Sequence, residues 1–314
     1  DIRSAHDSLL FLAMKGVLCS FSCFRPETKR RTVMQKAMKK YFPVFVLPTL
    51  LAFTISFIIP FLMGLYLSFT EFTTVIDAKW VGFENYRKAF TANNEFLNAL
   101  WFTVKFTIVS VITINVFAFS LALALTRGIK GTNLFRTVFF MPNLIGGIVL
   151  GYIWQLIING ILYKWEVTLT FDPQYGFWGL VALMNWQLVG YMMIIYIAGI
   201  QSIPEELKDA ARVDGASGGR LLWNVIVPSV MPSVTICFFL TISNGFKLFD
   251  QNIALTNGAP SKKTAMLALD IYNTFYGKNN WEGAGQAKAV IFFIIVAVIA
   301  LVQLKGTRSR EVEA

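Results

Sequence analysis

Asn143, Asn185, Gln187, Thr241 and Asn244 stand inside long apolar runs of this 314-residue sequence, with Trp186 among them. Amides, a hydroxyl and an indole face supply hydrogen-bond donors, acceptors and a stacking surface without formal charge, which is how an uncharged, hydroxyl-rich solute such as a sugar is held. Taken singly, each is equally explained by a bond to a neighbouring helix, worth about 0.6 kcal/mol on average. A second group is charged: Glu205, Glu206, Asp209 and Arg212 surround Ala210 and Ala211, and Gly215 and Pro228 follow. That group suits recognition of another protein surface. Little is present for catalysis. His6 is the only histidine, Cys19, Cys23 and Cys237 form neither a disulfide framework nor a zinc spacing, and no G-x-x-x-x-G-K-[ST] phosphate loop occurs. The chain is expected to be no enzyme and to hold no metal or cofactor of its own.

The elements that would carry these residues follow from composition. Hydrophobic residues make up 55%, charged residues only 15%, and mean hydropathy is +0.58, far from ordinary soluble composition. The net charge of +10 lies at the ends of apolar segments and forms no basic face, which argues for lipid headgroups and against nucleic acid. Apolar runs at about 42–69, 98–126, 134–159, 176–201, 226–247 and 288–304 are each long enough to cross a bilayer. None alternates as a barrel strand would, so the expectation is an all-α integral membrane protein with six spanning helices.

Basic residues set the expected orientation. Lys29, Arg30, Arg31, Lys36, Lys39 and Lys40 precede the first span, Arg127, Lys130 and Arg136 follow the second, and Lys305, Arg308 and Arg310 follow the sixth. The positive-inside rule then puts both termini in the cytoplasm, with Trp80, Trp101, Trp165, Trp178 and Trp281 at the outer face. The loop between spans four and five becomes cytoplasmic. Ser202 and Glu205 have the spacing of a capping box, Pro204 tolerates a first turn, and Gly215 can end the helix in a left-handed turn. Each Asp, Lys or Arg at mid-bilayer costs about 2.5 to 3.5 kcal/mol, so this helix stays at the surface.

In that loop "DAARVDG", nine residues and "VIVP" (Asp209 to Pro228) resemble the EAA signature of permease subunits in binding-protein-dependent ABC importers, with Asp209, Val225 and Val227 as mild departures. "RTVFFMPNLIGGIVLGYIW" (Arg136 to Trp154) and "FKLFDQNIALTNGAP" (Phe246 to Pro260) are similar to the carbohydrate branch that includes the maltose transporter's membrane subunits. The resemblance implies that Glu205, Glu206, Asp209, Ala210, Ala211, Arg212, Gly215 and Pro228 form a coupling helix and its turn, seated on a partner ATPase dimer that binds ATP and magnesium. It also implies a second permease subunit, an extracytoplasmic sugar-binding protein, a sugar substrate and a bacterial or archaeal plasma membrane. Aligned landmarks place Asn143, Gly147, Gln187, Thr241 and Asn244 at or beside positions that line a sugar site.

The energetic alternative is a secondary carrier or facilitator. Such carriers usually depend on carboxylates inside their helices, and the apolar runs contain none. Lys105 and Lys247 are expected near helix ends, where they can snorkel. Residues 1–33 are expected to be an atypical extension outside the mechanism, 34–41 a basic cytoplasmic segment, 42–304 the six-helix domain and 305–314 a cytoplasmic tail.

Overall fold

The computed structural model describes residues 42, 44, 46–91 and 94–308. The expectations for residues 1–41, including His6, Cys19 and Cys23, and for 309–314 lie outside the described residues. The chain divides into two units, Asp1–Met63 and Gly64–Ala314.

The described part of the first unit is most of helix α1 (Val46–Leu67), which continues across the boundary. A π-helical turn at Thr54–Ile58 widens it. Phe53, Phe57 and Phe61 stack one turn apart, with ring centroids 5.1 and 6.1 Å apart. Apolar side chains are exposed all round this helix, as expected of one that meets lipid or another subunit.

The second unit begins with a small antiparallel pair, β1 (Thr70–Glu71) and β2 (Lys79–Trp80), and helix α2 (Glu84–Thr91). The buried Asn85 ties them together by donating to the carbonyls of Ser68 and Thr70 at 3.0 and 2.7 Å. The bundle follows: α3 (Glu95–Leu125), α4 (Thr132–Phe140), α5 (Gly147–Leu162), α6 (Pro173–Gln201), α7 (Glu205–Val213), α8 (Gly219–Ser229), α9 (Met231–Phe246), α10 (Asp250–Leu255), α11 (Leu267–Gly277) and α12 (Glu282–Arg308).

At the centre α3 and α6 lie side by side and run in the same direction. Phe102 meets Phe177 at 5.7 Å between ring centroids, Asn185 donates to Thr113 Oγ1 at 2.9 Å, and Tyr196 donates to Asn115 Oδ1 at 2.7 Å. Phe106, Ile114, Ala118, Leu180, Leu183, Met192 and Met193 are fully buried along this seam. α9 runs back against both: Thr241 meets Asn115, and the Cys237 thiol lies 3.8 Å from the Met192 carbonyl. α12 reverses again, its Gln303 amide donating to Thr235 of α9 at 3.2 Å and its Lys288 lying over Phe96 of α3.

Five helices are long and apolar enough to span a membrane, and the α8–α9 pair, bent by 69°, makes a sixth crossing if taken as one. The expected third span, 134–159, is corrected. It breaks into α4, a 3-10 turn at Met141–Leu144 and α5, because Pro142 has no N–H for the carbonyl four residues back. α4 instead lies against α6, with the Phe139 carbonyl pressed onto Gly190 so closely that no Cβ fits. The expected fifth span is bent rather than straight: Pro232 cannot donate to the Pro228 carbonyl, and the helix kinks at Val230 between them.

Helices α10 and α11 lie in a stretch whose apolar content predicts no span. Asp270 of α11 and Lys288 of α12 are buried and joined at 2.7 Å, and Lys288 also donates to Thr274 Oγ1 at 2.8 Å. The six apolar runs carry no carboxylate; Asp270 enters the packed interior from outside them, on a helix too short to span.

Candidate functional site

Asn143, Gln187 and Asn244 come together around a cavity of about 480 Å³, within the range of about 300 to 1,000 Å³ usual for ligand sites. Four elements build it. The 3-10 turn before α5 brings Asn143, the middle of α6 brings Gln187 and Tyr191, and the end of α9 brings Asn244 and Lys247. Gln251, in the first turn of α10, completes the polar rim, while Met184, Leu188, Leu240 and Leu248 form apolar wall. The Gln251 amide donates to Gln187 Oε1 at 2.8 Å. That bond leaves the Gln187 amide nitrogen and the Gln251 carbonyl oxygen for an occupant. Among the described residues no carboxylate lines the cavity, so it offers neutral amides, a phenol and one ammonium group.

Gly147 and Thr241 occupy different places. A Cβ on Gly147 would lie 2.8 Å from the Asp250 Cβ and 3.0 Å from the Gln251 side chain. Its bareness lets α10 lie against α5 and thereby sets Gln251. The Gln155 amide, donating to the Leu255 carbonyl at 3.0 Å, fixes the other end of the same contact. Thr241 is fully buried and donates to the Cys237 carbonyl at 2.7 Å, within the network of Asn115 and Tyr196 that joins α3, α6 and α9. Asn185 spends its amide nitrogen on Thr113 and on the Val181 carbonyl. Trp186 packs edge-on against Trp154, 5.8 Å between centroids.

Sequence reasoning missed Tyr191 and Gln251 and placed Lys247 at a lipid boundary. Gln251 falls outside every apolar run, and only the packing of α10 on α5 brings it to the cavity. The sequence does carry a signal for Lys247: it lies three residues after Asn244, on the same helical face.

The charged group forms a separate site. Glu205, Glu206, Asp209, Ala210, Ala211 and Arg212 share α7, a nine-residue helix with no buried residue. Two ion pairs one turn apart lace its surface, Lys208 to Glu205 at 2.9 Å and Arg212 to Asp209 at 2.8 Å. Gly215 closes it with φ +79°, its N–H donating to the Arg212 carbonyl at 3.0 Å. The expected capping box does not form. Pro204 is the N-cap residue, and Ser202 Oγ donates at 2.8 Å to the Gly199 carbonyl in the last turn of α6. Leu207 and Val213, 47% and 87% exposed, have no covering surface within the described chain. Pro228 stands apart, beside the kink.

Among the described residues no group of His, Cys, Asp and Glu is placed to hold a metal ion. Comparison with known proteins adds the lineage. Residues 117–304 match the family model described as "Binding-protein-dependent transport system inner membrane component". The probable starch degradation products transport system permease protein AmyD of Thermoanaerobacterium thermosulfurigenes is 42% identical over 86% of this chain and 94% of its own. The multiple sugar-binding transport system permease protein MsmF of Streptococcus mutans is 30% identical over 89% and 99%. In fold, the chain is similar to one from a bacterial ABC transporter involved in the import of the acidic polysaccharide alginate, with TM-score 0.74 and 20% identity over 88% of this chain and 98% of that one. By these matches the chain belongs to the inner membrane components of binding-protein-dependent transport systems.

Proposed function

We propose that this chain is one of two transmembrane subunits of an ATP-driven importer for a sugar or oligosaccharide, with its solute passing the cavity of Asn143, Gln187, Asn244 and Gln251. The observation that carries this reading is the cavity's chemistry: side-chain amides from four segments converge where no described carboxylate lies, and such amides match neutral hydroxyls. The names of the relatives agree, one transporting starch degradation products and another multiple sugars.

Helix α7 is the part we assign to ATPase docking. An exposed, ion-paired helix with an apolar edge at Leu207 and Val213 suits a cleft on a partner subunit. A single such helix in this chain implies a second permease subunit to engage an ATPase dimer, and the family description implies an extracytoplasmic binding protein. ATP and magnesium belong to the partner. Both termini and α7 then face the cytoplasm, in a bacterial or archaeal plasma membrane. Closure of the ATPase dimer would move α7, and α8 and α9 would transmit that motion to Asn244 and Lys247 as rigid-body tilting.

A secondary carrier is disfavoured because Asp270, the carboxylate buried among the described residues, is already bonded to Lys288 and does not line the cavity. Replacing Asn143, Gln187 and Asn244 together by Leu tests the path. Uptake of labelled saccharide by the assembled transporter should fall at least tenfold, since each polar partner lost is worth about 1 kcal/mol. Uptake unchanged in a correctly assembled triple variant removes these residues from the path.

A further inference from the structure

A second pair of depressions lies where α3, α6 and the segment before α11 meet. One, of about 460 Å³, includes Glu95, Trp101, Lys105, Lys262 and Lys263 in its lining; the other, of about 290 Å³, includes Gln174 and Trp178. Phe102, Lys105 and Lys263 line both. The nearby acids are already engaged: Glu95 with Lys262 at 3.1 Å and Lys278 at 2.9 Å, Asp270 with Lys288, and Asp172 with the Gln174 N–H of its own helix at 2.7 Å. Lys105 and Lys263 are exposed and have no anionic partner among the described residues. Lys105 Nζ stands 5.6 Å from the Trp101 ring centre, and Trp101 and Trp178 are themselves 61% and 58% exposed.

Depth on the membrane normal is set by helix length. α3 has 31 residues, about 46 Å at 1.5 Å per residue, against a hydrocarbon core of about 30 Å. The core-length segment counted back from Leu125, where Arg127 follows, ends near Lys105 at about 20 residues. Lys105 also interrupts a straight exposed stripe on α3, with Leu97 and Trp101 on one side of it and Ile108, Ile112 and Val116 on the other.

We propose that this groove is a binding site for one anionic phospholipid. The phosphate lies between Lys105 and Lys263, Trp101 and Trp178 flank the glycerol region, and an acyl chain runs down Ile108, Ile112 and Val116. Charge complementarity selects this occupant: the groove has surplus ammonium groups at headgroup level, and the longer arm of the apolar stripe, Ile108, Ile112 and Val116, leads inward from them. Tryptophan and lysine at this depth are the side chains that bind the membrane interface.

Native mass spectrometry of the full chain, purified in mild detergent with equal phosphatidylglycerol and phosphatidylcholine, tests the site. Wild type should retain phosphatidylglycerol preferentially, by at least fivefold for each lysine engaged, about the effect of one basic residue at an anionic surface. Lys105→Gln with Lys263→Gln should abolish the preference. Lys105→Arg with Lys263→Arg should keep it, which separates charge from folding. The proposal is overturned by equal retention of the two lipids, by a preference that survives the glutamine pair, by displacement of the lipid with excess inorganic phosphate, or by a partner protein found covering the stripe in place of lipid.

Discussion

The pair of Asp270 and Lys288 permits a quantitative test of how α11, α12 and α3 are held together. Asp270→Asn keeps shape and removes only charge. Lys288 is 1% exposed and has two described acceptors, Asp270 Oδ2 at 2.7 Å and Thr274 Oγ1 at 2.8 Å, besides the Phe96 ring 5.7 Å away. Breaking a buried pair from one side costs about 3 to 5 kcal/mol, because the remaining charge is left uncompensated. An asparagine oxygen still accepts a bond, so the lower end, about 3 kcal/mol, applies here. Replacing both partners at once, Asp270→Leu with Lys288→Met, removes the stranded charge and should recover most of that loss. The assay is the unfolding midpoint of the purified protein at a fixed scan rate. The single variant should melt roughly 5 to 10 °C below wild type, taking a few degrees per kcal/mol for a domain of this size, and the double variant should melt close to wild type. A single variant that melts with wild type, or a double variant no better than the single, would refute the account of a desolvated, mutually dependent pair.

Three further perturbations probe other parts of the molecule. Gly190→Ala places a methyl group where the Phe139 carbonyl lies, and should destabilise the fold by about 3 kcal/mol or more, whereas Gly160→Ala, which lies inside α5 and meets nothing, should keep the melting point or raise it by a few degrees, alanine being the better helix former by up to about 1 kcal/mol. Gly215→Val strains a residue at φ +79° by about 1 to 3 kcal/mol; amide exchange across Glu205–Val213 should rise by about tenfold or more, and unchanged exchange counts against Gly215 as the helix stop. Asp209→Arg with Arg212→Asp retains an exposed pair whose sides are 65% and 59% accessible and worth only about 0.3 to 0.5 kcal/mol. Stability should not change, yet transport and stimulated ATP turnover should fall more than tenfold through like-charge contacts with a partner; both at the wild-type level would remove α7 from docking.

The long apolar runs were readable because hydropathy summed over twenty residues outweighs local exceptions. α3, α6 and α12 begin within about six residues of where that sum predicts them. The same averaging concealed the break in the third run, although Pro142, Gly146 and Gly147 all mark it. Ser202 matched a cap by spacing alone, but its hydroxyl is claimed by the Gly199 carbonyl in the last turn of α6. Asn143, Gln187 and Asn244 were legible as polar residues in apolar segments, and the cavity brings them together. Thr241 had the same credentials, but its hydroxyl is bonded within its own helix. Gln251 and the Asp270–Lys288 pair depend on which short helix lies against which long one, and that relation has no local signature in the chain.

The bend at Val230 has a mechanical consequence. From Met231 to Asn244 the helix runs about 20 Å at 1.5 Å per residue, unbroken, so a swing of about 5° about the corner displaces the Asn244 end by nearly 2 Å, most of a hydrogen-bond length. Two prolines four positions apart thus turn an angular disturbance too small to disrupt packing into a shift of Asn244 large enough to make or break a hydrogen bond.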